Sequence, residues 1–206
     1  MSLPQVRNWP GRWLTALRQN WKSHALTLLL LVLLYAAIQA WQTRNLARGL
    51  APSFSAPSAD LRNASGLVDL DAWRKTHVGQ AVALHFWAEW CPICRAEEHS
   101  ISRVQRDWPL LGVAMQSGDA ARVQSVLRTR QLDWLTAVDV DGKIARRYGL
   151  QSVPAFVVVD AQGRIRFAEV GYTSEVGMRL RLWWAQTWQQ SRPAPPSISK
   201  VWLSHE

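Results

Sequence analysis

Cysteine is scarce in this chain: its 206 residues include only two, Cys91 and Cys94. Two cysteines cannot form the several bridges that staple small secreted domains, so an intrachain disulfide can join only this pair. Acidic residues are missing before Asp60, although the whole chain carries 15 of them and a net charge of +9. The excess of positive charge from Asp60 onward is therefore small, and no nucleic-acid partner is predicted.

Charged residues are also missing from residue 23 to residue 43, where an apolar block fills most of the window. At about 1.5 Å per residue, a helix over this window reaches the ~30 Å of a hydrocarbon core. Trp21 and Trp41 bracket the block, and most of the basic residues before Asp60 precede it. This pattern predicts a cytoplasmic segment over residues 1–22 and a transmembrane helix over residues 23–43. A cleaved signal peptide is the alternative interpretation.

Residues 44–60 are rich in small residues and proline and have no sustained period, which is typical of a linker. From residue 61 to residue 190, short apolar runs alternate with segments of helical spacing, which predicts a mixed sheet with helices on both faces. Residues 191–206, which begin with a proline-rich run, are predicted to form a disordered tail. The predicted strands are 81–88, 110–115, 155–159 and 164–167, and the predicted helices are 94–108, 119–130, 142–148 and 174–190. Trp183, Trp184 and Trp188 of the last helix are expected to pack into the fold.

The two cysteines lie at the junction of a predicted buried strand and a predicted helix. A Cys-x-x-Cys motif there places Cys91 at the helix N-terminus, where free backbone N–H groups and the helix dipole stabilise a thiolate. Such a position can lower a thiol pKa from ~8.5 to within ~3.5–7.5, so Cys91 is the predicted nucleophile. Pro92 suits the first helical turn. Cys94, one turn further in, is then placed to attack a mixed disulfide formed at Cys91.

Metal binding is the alternative use of a Cys-x-x-Cys pair. A zinc site needs further ligands, but the sequence has no second cysteine pair, and only His85 and His99 lie near the motif. Haem attachment needs a histidine directly after the second cysteine, where this chain has Arg95. Two cysteines can also bind Cu(I) as soft ligands. We expect no metal site and no cofactor, and a Cu(I)-binding or scaffold protein is the second functional hypothesis.

Two segments of the sequence resemble thioredoxin. The run Phe86-Trp87-Ala88-Glu89-Trp90-Cys91-x-x-Cys94 is similar to its active-site segment, and Val153-Pro154 before a strand is similar to its cis-proline loop. With the predicted anchor, the chain resembles the membrane-tethered thioredoxin-like proteins of the TlpA and ResA type. Its closing segment, residues 171–184, most resembles the suppressor-of-copper-sensitivity protein D branch. This resemblance implies an α/β thioredoxin-like fold preceded by one transmembrane helix.

Two ionisable residues near the cysteines are candidates for proton transfer. Glu97 matches a glutamate of the ResA-like pattern, and its place on an apolar helix face predicts partial burial beside the thiols. A carboxylate there would raise the pKa of a neighbouring thiol or accept its proton. The simpler explanation for a glutamate at this position is that the helix dipole favours acidic side chains near a helix N-terminus. His85 stands where thioredoxin has a buried aspartate. It is expected to be either a hydrogen-bonded core residue or the group that takes the proton of Cys94.

The resemblance also implies how substrates dock and where the protein works. A cis bond before Pro154 would leave the preceding backbone free to pair with a substrate. The expected substrate contacts are Trp90, Pro92, Ile93 and Val153. The family implies a reductase on the periplasmic side of the bacterial inner membrane, which receives electrons from a transmembrane thiol reductase. Its expected substrates are oxidised periplasmic proteins of copper tolerance or cytochrome c maturation.

Overall fold

The computed structural model describes residues 21–43, 46–60 and 66–190. Helix α1 (Trp21–Thr43) belongs to an N-terminal unit, and a second compact unit begins at Asn45. Among the described residues, no helix is both long enough and apolar enough to cross a membrane. Most of the predicted cytoplasmic segment 1–22 and all of the predicted tail 191–206 lie outside the described residues.

Six strands form the main sheet of the second unit. In spatial order they are β1 (Gly49–Leu50), β8 (Arg164–Val170), β7 (Ala155–Val159), β4 (Val82–Trp87), β5 (Leu110–Met115) and β6 (Thr136–Asp139). Strands β4, β5 and β6 run parallel, whereas β7 is antiparallel to both β4 and β8, and β1 is antiparallel to β8. A separate pair joins β2 (Ser55–Pro57) to β3 (Leu67–Asp69). The helices are α2 (Leu70–Lys75), α3 (Pro92–Gln105), α4 (Ala120–Thr129), α5 (Lys143–Arg147) and α6 (Glu175–Gln190).

Strand β4 separates two hydrophobic clusters, because successive side chains of a strand point to opposite faces of the sheet. Trp87 belongs to the cluster that contains Ile101 of α3 and Met178 of α6. Phe86 belongs to the other cluster, with Ile144 of α5. All six side chains of β4 are buried, which fits its run of aliphatic and aromatic residues. The predicted mixed sheet with helices on both faces is confirmed.

Residues 46–60 differ from the linker that their composition indicates. They supply β1 and β2 to the second unit, and Phe54 is 5% exposed. The ring of Phe54 packs edge-on against Tyr148, whose hydroxyl donates a hydrogen bond to the Pro52 carbonyl at 2.9 Å. Strands this short carry no periodic signal, and β1 pairs with β8, which lies far along the chain. The folded unit therefore begins before residue 61.

Helix α6 does not bury the face that carries Trp183, which the sequence predicts to pack into the fold. Its Met178 and Leu182 are fully buried in the cluster under Trp87, whereas Trp183 is 58% exposed. Trp184 makes a T-shaped contact with Phe167, at 5.2 Å between ring centroids. The expectation that Trp183 packs into the fold is therefore wrong, and the side chain of Trp188 lies outside the described residues.

Candidate functional site

Cys91 lies at the N-cap of helix α3, immediately after the loop that follows β4. Its Sγ accepts a hydrogen bond from the backbone N–H of Cys94 at 3.1 Å. Pro92 occupies the first helical position, where a missing N–H leaves no bond unmade. A sulfur at this position faces the free N–H groups of the first turn and the positive end of the helix dipole, both of which stabilise a thiolate.

The two cysteines are joined by a disulfide, with their Cα atoms 5.3 Å apart. Both are nearly buried, Cys91 at 4% exposure and Cys94 at 2%. The Sγ of Cys91 lies 3.6 Å from the carbonyl oxygen of Val153. The peptide bond between Val153 and Pro154 is cis, as the sequence predicts. The fold thus brings the loop before β7 against the first cysteine, although 62 positions separate them.

Three residues beside Cys91 face solvent. Trp90 is 59% exposed and Ile93 is 49% exposed, and Pro92 between them in the sequence is exposed as well. The indole Nε1 of Trp90 donates a hydrogen bond to the carbonyl of Gln116 at 3.1 Å, which fixes the orientation of the ring. An expected substrate contact at Trp90 requires this exposure. These side chains form a surface that a docking polypeptide would meet first.

Glu97 lies one helical turn beyond Cys94 and is 1% exposed, deeper than the partial burial expected of it. The backbone N–H of Thr173 donates a hydrogen bond to its Oε1. Burial raises the pKa of Glu97 to about 7, although the bond from Thr173 favours the charged form. The side chain is therefore able to gain or lose a proton near neutral pH.

His85 is fully buried on β4, in the middle of the sheet. Within the described part of the chain, neither of its ring nitrogens has a hydrogen-bond partner. The ring lies edge-on to Trp134, at 5.7 Å between centroids. Burial lowers the pKa of His85 to about 3, because the interior disfavours the charged form. His85 is therefore a core residue, as expected. The expectation that its ring is hydrogen-bonded is wrong for the described part of the chain.

Two contacts at the site are not predicted by the sequence. One is the hydrogen bond from Thr173, which lies 76 positions from Glu97. Thr173 belongs to segment 171–184, which carries a family resemblance, but nothing in the sequence indicates a contact with Glu97. The other is an ion pair next to the cysteine motif, where Arg122 Nε donates to Glu89 Oε2 at 2.9 Å. Glu89 carries no periodic or motif signal for a partner on α4. Both contacts depend on how helices dock, which spacing within one segment cannot reveal.

Residues 48–168 match the model of the AhpC/TSA family, and the chain belongs to that family. The architecture is the α/β thioredoxin-like fold. The chain is also similar in sequence to relatives named as thiol:disulfide interchange proteins. The chain is 30% identical over 123 residues to the thiol:disulfide interchange protein DsbE of Allochromatium vinosum, a match that covers 59% of this chain and 65% of that protein.

The soluble secreted antigen MPT53 of Mycobacterium tuberculosis is 36% identical over 92 residues, which cover 43% of this chain and 53% of that protein. The chain thus spans about half to two thirds of the length of these curated relatives. Among solved structures, a secreted thiol-disulfide isomerase from Corynebacterium glutamicum superposes with a TM-score of 0.57 at 17% identity, covering 66% of this chain and 85% of that one. At that identity the likeness shows the fold alone.

Proposed function

We propose that the protein is a thiol:disulfide oxidoreductase that reduces protein disulfides with the Cys91–Cys94 pair. The observation that carries this function is the position of Cys91. Its sulfur lies at the N-cap of α3, bonded to the N–H of Cys94 and 3.6 Å from the Val153 carbonyl. The relatives named as thiol:disulfide interchange proteins support the same activity.

The reaction proceeds in two exchanges from the reduced pair. The Cys91 thiolate attacks one sulfur of the substrate disulfide, which forms a mixed disulfide and releases the other substrate sulfur as a thiolate that takes up a proton. Cys94 then loses its proton and attacks the Sγ of Cys91. This step closes the Cys91–Cys94 disulfide and releases the second substrate thiol. Two electrons and two protons pass from the protein to the substrate.

Glu97 is the proposed acceptor for the proton that Cys94 loses. It follows Cys94 by one helical turn, is almost fully buried, and has a pKa raised to about 7 by burial. A base with a pKa near the working pH transfers protons most effectively. The bond from the Thr173 N–H would stabilise the carboxylate before it accepts the proton. His85 is not proposed for this role, because its ring stays neutral above about pH 3 and has no described hydrogen bond.

The substrate docks on Trp90, Pro92, Ile93 and Val153. The first three of these contribute exposed surface next to the nucleophile, and Val153 contributes its carbonyl. A carbonyl so close to the attacking sulfur is placed to accept a backbone N–H of the bound segment. We assign Pro154 the role of presenting that carbonyl towards Cys91.

We also propose that the protein works on the periplasmic face of the bacterial inner membrane, held by a single pass over residues 23–43; this anchor rests on the sequence pattern, since no described helix meets the length and apolarity of a span. The support is the uncharged, leucine-rich window over residues 23–43, the basic residues before it, and a relative named as secreted. A transmembrane thiol reductase would return electrons to the pair. Membership of the TlpA/ResA type and its suppressor-of-copper-sensitivity branch, with substrates in copper tolerance or cytochrome c maturation, rests on the sequence resemblance alone.

Trapping of partners tests the activity. Cys94→Ala in the full-length chain removes the resolving thiol, so mixed disulfides through Cys91 should accumulate in cells and be released by a reductant. Cys91→Ala should trap none. A Cys94→Ala variant that traps nothing, with a wild type that reduces no disulfide in vitro, would overturn the proposed function.

The full-length wild type is also used to test copper binding and membrane topology. Among the described residues, no three Cys, His, Asp or Glu side chains are grouped to hold a metal ion. Two thiolates alone can hold Cu(I), so reduced wild type is titrated with Cu(I) beside the disulfide reduction assay, and tight stoichiometric binding without disulfide reduction would favour the copper hypothesis. A reporter fused after Glu206 that is active only outside the cytoplasm should be active in cells. Activity of a cytoplasm-only reporter would contradict the proposed orientation.

A further inference from the structure

The surface beside the nucleophile is a groove of about 430 Å³, lined by Glu89, Trp90, Cys91, Pro92, Arg95 and Ala96. The groove opens at the reactive sulfur, so a segment bound in it would be the one that carries the disulfide. Its walls combine an indole and a proline with two charged side chains. The charges offer a basis for selecting among substrates.

The acidic side chain of the groove is already neutralised by a neighbour. Arg122 donates through Nε and Nη2 to the two oxygens of Glu89. This bond holds the pKa of Glu89 below its usual value, so the carboxylate stays ionised and paired. A second pair behind it joins Arg130 to Glu98 at 2.6 Å, and Arg130 also donates to the Glu89 carbonyl at 3.0 Å. These two acidic and two basic groups balance.

Arg95 is the charged residue beside the groove that belongs to neither of these ion pairs. It is exposed, and its guanidinium makes no hydrogen bond or ion pair with the residues that the structure describes. It follows Cys94 directly, on the helix whose N-terminus carries Cys91. Its charge acts on the paired Glu89 carboxylate as well, but Arg95 is the one of these five charged groups without an ion pair to a described residue, so together they leave one excess positive charge beside the positive end of the helix dipole. Both features attract negative charge to the mouth of the site.

We propose that Arg95 makes the groove selective for polypeptide segments that carry Asp or Glu within a few residues of the disulfide cysteine. This inference rests on the proposed disulfide reductase function and names its preferred substrate class. The guanidinium is a planar donor that matches a carboxylate in two parallel hydrogen bonds. The fixed indole of Trp90 would support the backbone of the same segment, since its Nε1 is held by Gln116.

Single-turnover kinetics with charge-matched peptides test this selectivity. Three peptides share one disulfide and differ only at two flanking positions, which are Asp, Gln or Lys. Full-length reduced protein in non-ionic detergent is mixed with each peptide, quenched with acid and resolved by mass. An exposed charge pair contributes a factor of up to about 5. The wild type should therefore reduce the Asp peptide about 5-fold faster than the Lys peptide at low salt.

Variants then assign the preference to Arg95. Arg95→Gln should bring the Asp-to-Lys rate ratio close to 1, and Arg95→Glu should invert it. The control is Arg106→Gln, which removes an equal exposed charge just beyond the far end of α3 and should keep the wild-type ratio. The ratio should also shrink in ~1 M salt, where the Debye length falls to about 3 Å.

The possible results distinguish failure of the Arg95 selectivity from failure of the proposed reductase function. If no peptide is reduced, the proposed reductase function fails. If the Gln peptide is reduced but the Asp-to-Lys ratio is 1 in the wild type, or persists in Arg95→Gln, then the function stands and the selectivity of Arg95 is overturned. A change in Arg95→Gln that slows all three peptides equally would also contradict it, because that result reports an effect on the thiols alone.

Discussion

Two buried ionisable side chains flank the cysteines in the sequence, His85 on the strand before them and Glu97 on the helix that follows. Burial acts on both through the same cause, because a low-dielectric interior favours the neutral form of any ionisable group. For a base this lowers the pKa, to about 3 at His85, and for an acid it raises the pKa, to about 7 at Glu97. Equal burial thus leaves one group inert and the other titrating near neutral pH.

Their hydrogen bonds differ in the same way. Glu97 receives the backbone N–H of Thr173, whereas His85 has no described partner for either nitrogen. A bonded carboxylate can hold its charge for part of the time, which a proton acceptor requires. An unbonded imidazole in a dry core only fills space, at a cost for each polar atom without a partner.

The largest expected effect is on stability in acid and belongs to His85. The unfolded chain protonates this histidine below about pH 6.5 and the folded chain only below about pH 3, so the contribution of His85 to the free energy of unfolding falls as pH drops through that interval. The slope is at most about 1.4 kcal/mol per pH unit. His85→Leu keeps a similar volume without ionisable atoms, so in urea unfolding of the oxidised chain its free energy of unfolding should rise relative to that of the wild type from pH 7 to pH 4.

His99→Gln is the matched control for that measurement, since His99 is an exposed histidine on α3. It should follow the wild type at both pH values. An acid loss in His85→Leu as steep as in the wild type would show that His85 is solvated or paired in the folded protein.

The next effect is kinetic and belongs to Glu97. Glu97→Gln keeps the shape and an oxygen for the Thr173 N–H but cannot accept the proton of Cys94. General base catalysis is worth a factor of about 10²–10⁴, so resolution of the mixed disulfide should slow about 100-fold at pH 7. Rapid acid quench of single turnovers would show the intermediate accumulate. His85→Leu should change this rate less than about 3-fold.

Glu98→Gln controls for the loss of a carboxylate next to Glu97, because Glu98 is paired with Arg130 and lies beside it on α3. It should resolve mixed disulfides at nearly the wild-type rate. If His85→Leu slowed resolution as much as Glu97→Gln, the roles assigned to the two residues would have to be exchanged.

How far sequence predicts this molecule depends on the range of the contacts involved. Strand β4, helix α3 and the position of Cys91 follow from local apolar spacing and one proline, and they are confirmed. Strands β1 and β2 span two and three residues, too few for a periodic signal, and β1 pairs with the distant β8, so their segment resembles a linker. Burial of Glu97 could be anticipated from its helix face, but its bond to Thr173 could not, because it depends on how the loop before α6 packs against α3.

The smallest effect is the net pH dependence of wild-type stability between pH 4.5 and 6.5, which tests both residues together. Glu97 is protonated in the folded chain up to about pH 7 but only up to about pH 4.5 in the unfolded chain, so stability from this group is present below pH 4.5 and is lost as pH rises to 7. The interval is about 2.5 pH units, narrower than that of His85, so this group contributes at most about 3 kcal/mol in total. Between pH 4.5 and 6.5 the two residues oppose each other, and the stability of the wild type should change little with pH. In urea unfolding across that window, His85→Leu should lose stability as pH rises and Glu97→Gln should gain it. Variants whose slopes have the same sign would contradict the opposite titration of the two buried groups.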